Sequence, residues 1–535
     1  MSESIDTRTL GMIGQVTKHP DLVSEWSKIA GRAAIIYSNS SLDKDNSRLA
    51  LAMSINCLSR TNPIITNLDI AVADESYDLA APLFEGQSIR ECIASFTKKL
   101  RPDVKIRTLN HLEGDYDAIL SIGTTSYKHP FKITISSNGW LTRVSPTTIT
   151  SEFTKNVNPI GAYFAANLGC VEVFKKIFVK KADLIIPQKS DYDFRWRTKF
   201  LQNELIVNTF DYSLNKTDSA NPHLPKIVDV GELLVAGVGA GGGASLYTLA
   251  SLPSIQGVMH LVDPDEIKGS NLNRYVYATR LDADKNTPKT DVMKKIFSNH
   301  TKCVVHSQHI PYSQYNGQLN GKPIDLLIST VDTDRTRIDI QWDLPRIILD
   351  AAVFSTWFYI DRVEFGNNAC LGCRFYKDSS SESEESRLSK IIGLSPDIIV
   401  NLRANNALFE QSHIDIMKQF SEKNGFTLPK VGEHFQDWFI YHCSELHLDS
   451  EEIIIPLPFA TIMPGILLAG EVIKQRYFNK QNRTQHYFSY DTFSISKDNI
   501  DELKRNEKCQ ICSDQTTLNR YKEKHNILKE EKFYH

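Results

Sequence analysis

Gly237, Gly239 and Gly242 stand in LLVAGVGAGGGASL (233–246) at the spacing GxGxxG. Glycines so placed let a strand turn sharply into a helix and bring backbone N–H groups against phosphate oxygens. The strand-like run GVMHLVDPDEI then reaches Asp263, about twenty residues past Gly242, where a carboxylate can meet a ribose hydroxyl. To this point a nicotinamide dinucleotide and ATP fit equally.

The residues that follow separate the two. Asn271-Leu272-Asn273-Arg274 comes next, then Lys289 in NTPKTDV, then Asp332 in STVDTDRTR at an expected strand end. An arginine and a lysine beside a glycine turn supply cations for a triphosphate, and a strand-end aspartate can hold Mg2+. Hydride transfer needs no such set. The competing account of Asp332 is a helix N-cap, a position aspartate also fills well.

Four of the nine cysteines form Cys370-Leu-Gly-Cys373 and Cys509-Gln-Ile-Cys512. Each CxxC loop presents two sulfurs, and two such loops make the closed, tetrahedral thiolate site of structural Zn2+. A pair of redox CxxC motifs is the alternative. Cys57, Cys92, Cys170 and Cys303 lie in apolar or strand-like settings and read as core residues. The opening residues MSESIDTRTLGMIG lack a basic stretch followed by an apolar one, so the cysteine usage points to a reducing, cytoplasmic setting.

Such groups need strands and helices to hold them, and the chain reads as carrying that framework twice. GRAAIIYSN from Gly31 parallels GELLVAGVG from Gly231, and YDAILSIGTT (116–125) parallels IDLLISTVDT (324–333). Pro159 precedes Glu172 in an E-V-apolar-K sequence as Pro458 precedes Glu471. Each half therefore reads as α/β with a mostly parallel, Rossmann-like sheet and a long buried helix, and the two halves are expected to pack as a pseudo-dimer. Where the second half has its glycine turn, the first has Tyr37-Ser38-Asn39, so the first half is expected to be inactive.

The expected divisions are an inactive half over 1–190, a linker over 191–230, and an active half in two parts, 231–376 and 451–515. Between those parts lies an insertion over 377–450, and a charged tail follows over 516–535. The serine-rich, acidic KDSSSESEESR (377–387) reads as a mobile connection. With 535 residues, 41% hydrophobic, 23% charged and a net charge of −3, the composition is that of a multidomain globular protein without a basic footprint for nucleic acid. Residues 453–470 are uncharged, but Pro456, Pro458 and Pro464 argue for a buried strand end and helix rather than a membrane span.

At GVGAGG, LVDPDEIKGSNLNRY, the TPK lysine, STVDTDRTR, both CxxC pairs and HCSEL before a proline-rich helix start, the chain resembles a family of adenylating enzymes. That family includes the ubiquitin-activating enzymes and the bacterial ThiF- and MoeB-type adenylyltransferases of thiamine and molybdopterin biosynthesis. The resemblance spans 231–515 well and the first half more loosely. It implies that Asp263 binds the ATP ribose, that the glycine turn and Asn271 line the nucleotide, and that Arg274 and Lys289 neutralise the triphosphate. Asp332 would coordinate Mg2+ and Arg337 would fix its turn, while the four knuckle cysteines would bind Zn2+.

Cys443, in HCSEL, is the implied nucleophile that accepts an activated carboxylate as a thioester. An inert, half-buried cysteine is the competing account. Arg8, Arg195 and Arg197 are candidates for an arginine reaching across from the other half. Two departures from the family pattern are Tyr275, in place of glutamine, and Thr333, in place of asparagine. The implied activity is ATP-dependent activation of a ubiquitin-like protein ending in glycine, followed by transfer to a conjugating enzyme, as in bacterial antiphage conjugation systems that the chain resembles. No ubiquitin-fold domain is visible after Cys512. Adenylation of a sulfur-carrier protein and a non-catalytic partner subunit remain as alternatives, and further oligomerisation is left open.

Overall fold

The computed structural model describes residues 7–17, 19–37, 44–72, 77–100, 104–123, 127–149, 156–186, 200–319, 321–353, 357–366, 369–375, 384–404, 407–424, 426–435, 438–439, 458–478, 486–489 and 505–526. Contacts divide the chain into two compact units: Met1–Phe375 with Ile454–His535, and Tyr376–Ile453.

The larger unit contains two mixed, mainly parallel sheets of seven strands each. The first is built from β1 (Arg32–Tyr37), β2 (Asn67–Ala71), β3 (Lys105–Leu109), β4 (Ala118–Ile122), β5 (Lys132–Asn138), β6 (Leu141–Ser145) and β7 (Leu205–Asn208), in the order β3-β2-β1-β4-β5-β6-β7. The second comprises β8 (Val228–Ala236), β9 (Ile255–Val262), β10 (Lys302–Gln308), β11 (Leu326–Ser329), β12 (Ile347–Val353), β13 (Trp357–Glu364) and β14 (His486–Ser489), in the order β10-β9-β8-β11-β12-β13-β14. Both sheets run five strands parallel and add two antiparallel ones at the same edge. In each, the order reverses beside the first strand, between β1 and β4 and between β8 and β11. Open parallel sheets bind ligands at such a reversal, beyond the carboxyl ends of the strands.

β7 falls inside the segment expected to be a linker. Its four residues, Leu-Ile-Val-Asn, are too few to show a periodicity, and pairing with β6 is what makes them a strand.

The long helices begin at the two prolines singled out in the sequence, Pro159–Ile185 and Pro458–Tyr477. At a first helical position the missing proline N–H costs nothing, and Asn158 caps the first helix by accepting from the Ile160 N–H at 2.9 Å. From Pro159 to Ala182 nearly every residue is buried, because this helix is covered on several sides by β5, β6, the helix Lys44–Leu58 and the helix Pro458–Tyr477. Such all-round burial explains why the sequence shows an apolar run rather than a stripe.

Each long helix also clasps the chain beside β7, the first helix just before that strand and the second just after it, where the chain leads on to the second sheet. Glu172 pairs with Lys175 and accepts from the Leu201 N–H at 3.1 Å. Glu471 pairs with Lys474 and accepts from the Tyr212 hydroxyl, while Lys474 donates to the Phe210 carbonyl at 3.1 Å.

The smaller unit holds the helices Glu384–Ile392, Pro396–Ala404 and Gln411–Asn424 around its own core of Leu388, Ile399, Phe409, Met417, Phe435 and Trp438. The Trp438 indole donates to the Thr427 carbonyl at 2.8 Å, which satisfies its one polar atom inside that core. Among the described residues no helix is long and apolar enough to cross a membrane.

Candidate nucleotide site and cysteine cluster

The glycine turn leaves β8 at the sheet reversal. Gly237 has φ +87°, and a side chain there would begin 2.9 Å from the Thr330 carbonyl oxygen. Three hydrogen bonds fix the turn: the Gly237 N–H donates to Val262 O (2.9 Å), the Thr330 N–H to Ala236 O (3.0 Å) and the Thr330 hydroxyl to Gly237 O (2.8 Å). A side chain at Gly242 would begin 2.0 Å from the Gly237 carbonyl oxygen, so this glycine permits the helix Ala240–Ala250 to close on the turn.

Gly239 is different. It is the helix N-cap, no side chain caps it, and a Cβ there would meet only the Tyr275 Oη, at 3.7 Å, among the described residues. The space in front of that helix end is open, with N–H groups facing it, which fits a phosphate.

Asp263 follows β9, buried, with Oδ2 accepting from the Val238 N–H at 2.6 Å and Oδ1 from the Asp265 N–H at 2.9 Å. The Lys289 ammonium lies 3.4 Å from Asp263 Oδ1 and 2.6 Å from Asp265 Oδ2. Burial pushes the Asp263 carboxyl above its usual range, with Lys289 opposing. For Lys289, burial pulls downward, but Tyr275, Asp263 and Asp265 outweigh it and hold the amine above its ordinary value. The lysine therefore stays charged in a nearly closed site, as neutralising a phosphate requires.

Arg274 is also buried; its guanidinium donates to Ser270 O (3.0 Å) and Asn273 Oδ1 (2.8 Å) and lies 5.1 Å from the Tyr275 ring centroid. Asn271 spends its Oδ1 on the Lys268 N–H at 2.9 Å, closing the turn that carries Arg274. Asn273 donates to the Thr9 hydroxyl at 3.4 Å, which brings the helix Thr7–Thr17 to this loop. Arg8 is the neighbour of Thr9 there, but its side chain lies outside the described residues, as do Arg195 and Arg197 entirely.

Asp332 sits on the loop after β11, two residues past Thr330, with an exposed side chain. The helix Asp334–Trp342 is capped by Thr333, whose hydroxyl accepts from the Thr336 N–H at 3.2 Å. The capping role weighed for Asp332 thus belongs to its neighbour, a role that asparagine at 333 would fill equally well. Arg337 is buried against Asp350 (3.2 Å), which also accepts from the Tyr359 hydroxyl at 2.7 Å. Asp361 faces Asp350 across β12 and β13 and pairs with Arg374 at 3.0 Å. Burial pushes the Asp361 carboxyl up to about 6 against the pull of Arg374.

Arg374 directly follows Cys373. The four sulfurs of Cys370, Cys373, Cys509 and Cys512 all lie within 4.8 Å of one another, with near pairs at 4.0, 3.6 and 3.3 Å. A tetrahedral zinc ion with ~2.3 Å bonds needs sulfurs ~3.8 Å apart, so the cluster fits one. Ile511, Leu371 and Tyr521 pack around it, and the Leu371 N–H donates to the Gln341 side chain at 3.0 Å. Tyr521 comes from the helix Gln515–Lys524, so the expected charged tail contributes to this core.

Burial pushes the Cys92, Cys170 and Cys303 thiols up; Cys92 and Cys170 are core residues as expected, whereas Cys303 is only half-buried because β10 is the edge strand of its sheet. Cys443 lies in 440–457, outside the described residues.

Sequence spacing missed the braces from the first half. Arg60 donates to Leu272 O (2.7 Å) and Ala278 O (3.1 Å), and Asn56 donates to Val276 O (2.8 Å). These bonds hold the 272–278 loop that carries Arg274 and Tyr275, and no local pattern announces a partner some 200 residues away.

Residues 49–183 match the BilD N-terminal domain. An uncharacterized protein, y4jF of Sinorhizobium fredii (strain NBRC 101917 / NGR234), is 22% identical over 457 residues, covering 82% of this chain and 81% of its own. Among solved structures, E. coli MccB with MccA-N7isoASN shares 15% identity over 71% of this chain and 98% of that one, with a TM-score of 0.34. E. coli MccB with AMPCPP and SeMeT MccA gives 14%, 71%, 97% and 0.34. The ThiF family model matches residues 218–511, which carry the glycine turn, Asp263, Lys289, Asp332 and three of the four clustered cysteines, Cys370, Cys373 and Cys509; the chain belongs to the ThiF family.

Proposed function

We propose that the chain uses ATP to adenylate the C-terminal carboxylate of a ubiquitin-like protein ending in glycine, then takes the acyl group onto Cys443 and passes it to a conjugating enzyme. The observation that carries the first step is the convergence of an open glycine cradle, Asp263, Lys289 and Arg274 at the reversal of the second sheet. ThiF membership supports adenylation as the chemistry.

In this reading Asp263 accepts from the ribose, and the N–H groups at Gly239–Gly241 receive phosphate oxygens. Lys289 and Arg274 offset phosphate charge in a site that excludes most water, where such charges act strongly. Asp332 would hold Mg2+, which supplies further charge neutralisation at the phosphates. The substrate carboxylate oxygen forms a bond to the α-phosphorus as the bond to the β-phosphate oxygen breaks, releasing pyrophosphate. The Cys443 thiolate then forms a bond to the acyl carbon and AMP leaves. The four clustered cysteines would hold Zn2+ in a structural role, since four thiolates leave no open position.

We also read the first half as a worn copy that braces the second, giving a pseudo-dimer within one chain. Support comes from the shared strand order, the paired helix starts at Pro159 and Pro458, and the matched Glu172–Lys175 and Glu471–Lys474 pairs.

Exchange of labelled pyrophosphate into ATP, driven by a candidate small protein, tests the adenylation step. Exchange that needs the partner's terminal glycine and vanishes in Asp332→Ala supports it; no exchange with any glycine-ending partner counts against it. Cys443→Ala separates the second step, because exchange should persist while a thiol-sensitive adduct disappears.

A further inference from the structure

Tyr275 is held by two cations and another ring. Its centroid lies 5.1 Å from the Arg274 guanidinium and 5.6 Å from the Lys289 ammonium, and it stacks on Tyr277 at 5.5 Å with 16° between planes. Tyr277 is itself anchored, donating its hydroxyl to the Val238 carbonyl at 2.5 Å within the glycine turn. Stacking and cation–π attraction leave such a ring little freedom.

The hydroxyl at the end of that ring has no hydrogen-bond partner among the described residues, although the residue is only 5% exposed. It points to the cradle: apart from Gly239 and its chain neighbours, it is the one heavy atom of the described residues within 4 Å of where a side chain on Gly239 would begin. A ligand bound in the cradle supplies the acceptor that this hydroxyl lacks among the described residues. With Arg274 and Lys289 both beside the ring, the acceptor their charge favours is an anionic oxygen.

We propose that the Tyr275 hydroxyl donates a hydrogen bond to a phosphate oxygen of the bound nucleotide, making Tyr275 a binding residue alongside Lys289 and Arg274. The inference rests on the nucleotide reading above and adds a contact at a position where the family pattern has glutamine. Glutamine also carries a donor, so the substitution keeps the donor while adding an aromatic floor for the two cations.

Titration of full-length wild type, Tyr275→Phe and Tyr275→Gln with ATP and with adenosine, beside thermal melts of each, decides it. Tyr275→Phe keeps the ring and its stack, so its melt should match wild type. Its ATP affinity should fall about tenfold, as loss of a hydrogen bond to a charged group implies. Adenosine, having no phosphate, should bind all forms alike, and Tyr275→Gln should recover part of the ATP affinity. Equal ATP affinity in Tyr275→Phe overturns the proposal, and so does an equal loss for ATP and adenosine, which would mean the residue acts only on the shape of the site. Wild type that binds no ATP overturns the nucleotide reading itself, an outcome distinct from a wild type that binds ATP with indifference to the hydroxyl.

Discussion

At the scale of single residues, the site gathers charges that would be unfavourable apart. Lys289 is nearly buried but sits among Asp263, Asp265 and the Tyr275 ring, and so remains a cation. Asp361 is the contrasting case: burial outweighs its pairing with Arg374 and lifts its carboxyl to about 6. A carboxyl raised in the folded state stabilises the fold below its unfolded value, near 3.8, and loses that contribution as pH rises through about 6. Compared with Asp361→Asn, wild type should therefore lose about 2 kcal/mol between about pH 4.5 and pH 7.5, measured as the difference in chemical-denaturation stability of the two proteins. A difference that stays flat with pH, or grows in favour of wild type at high pH, would contradict this. The glycine turn, Asp263, Lys289 and the CxxC pairs were legible in the sequence because their meaning lies in local spacing. Arg60, Asp361 and Arg374 were not, since each is defined by a partner on a distant element.

Elements place these residues through close backbone contact. Gly465, in the helix Pro458–Tyr477, lies where a Cβ would begin 2.4 Å from the Gly241 carbonyl oxygen and 2.7 Å from the Ala244 Cβ. This helix can approach the helix Ala240–Ala250 so closely because Gly465 carries no side chain and meets only glycine and alanine there. Gly465→Ala should cost about 1–3 kcal/mol of stability, the usual penalty of overpacking, and should weaken ATP binding by displacing the turn. Thermal melts and ATP titration of the variant check both effects; a variant indistinguishable from wild type in each would show that the contact relaxes without consequence. The helix starts at Pro159 and Pro458 could be read from the sequence because proline marks a first helical position. The strand β7 could not, because four residues pair with β6 only once the sheet exists.

For the whole molecule, two sheets of identical strand order are joined by a segment that the helix Pro458–Tyr477 grips through Glu471 and Lys474. The first half reaches the second through Arg60 and Asn56, at the loop bearing Arg274, and through the Tyr163–Ser251 and Tyr247–Pro82 hydrogen bonds. The cysteine cluster is tied to the second sheet and its helix, through Leu371 to Gln341 on the helix Asp334–Trp342 and through Arg374 to Asp361 on β13. Purified protein should therefore carry about one zinc ion per chain, and its removal by a thiol reagent should lower the melting temperature together with ATP affinity. Metal analysis and melts before and after treatment test this; full thermal stability after complete metal loss would contradict a structural role. The ordering of repeated strand signals disclosed the duplicated pattern, whereas the contacts between the two sheets depend on three-dimensional packing that no spacing encodes.

The central claim, that the glycine turn with Asp263 and Lys289 holds ATP, is tested most directly by calorimetric titration of the full chain with ATP and, separately, with NAD. The account predicts saturable binding of about one ATP per chain, lost in Asp263→Ala and in Lys289→Ala, and no saturable heat with NAD. Saturable NAD binding with no response to ATP would contradict it.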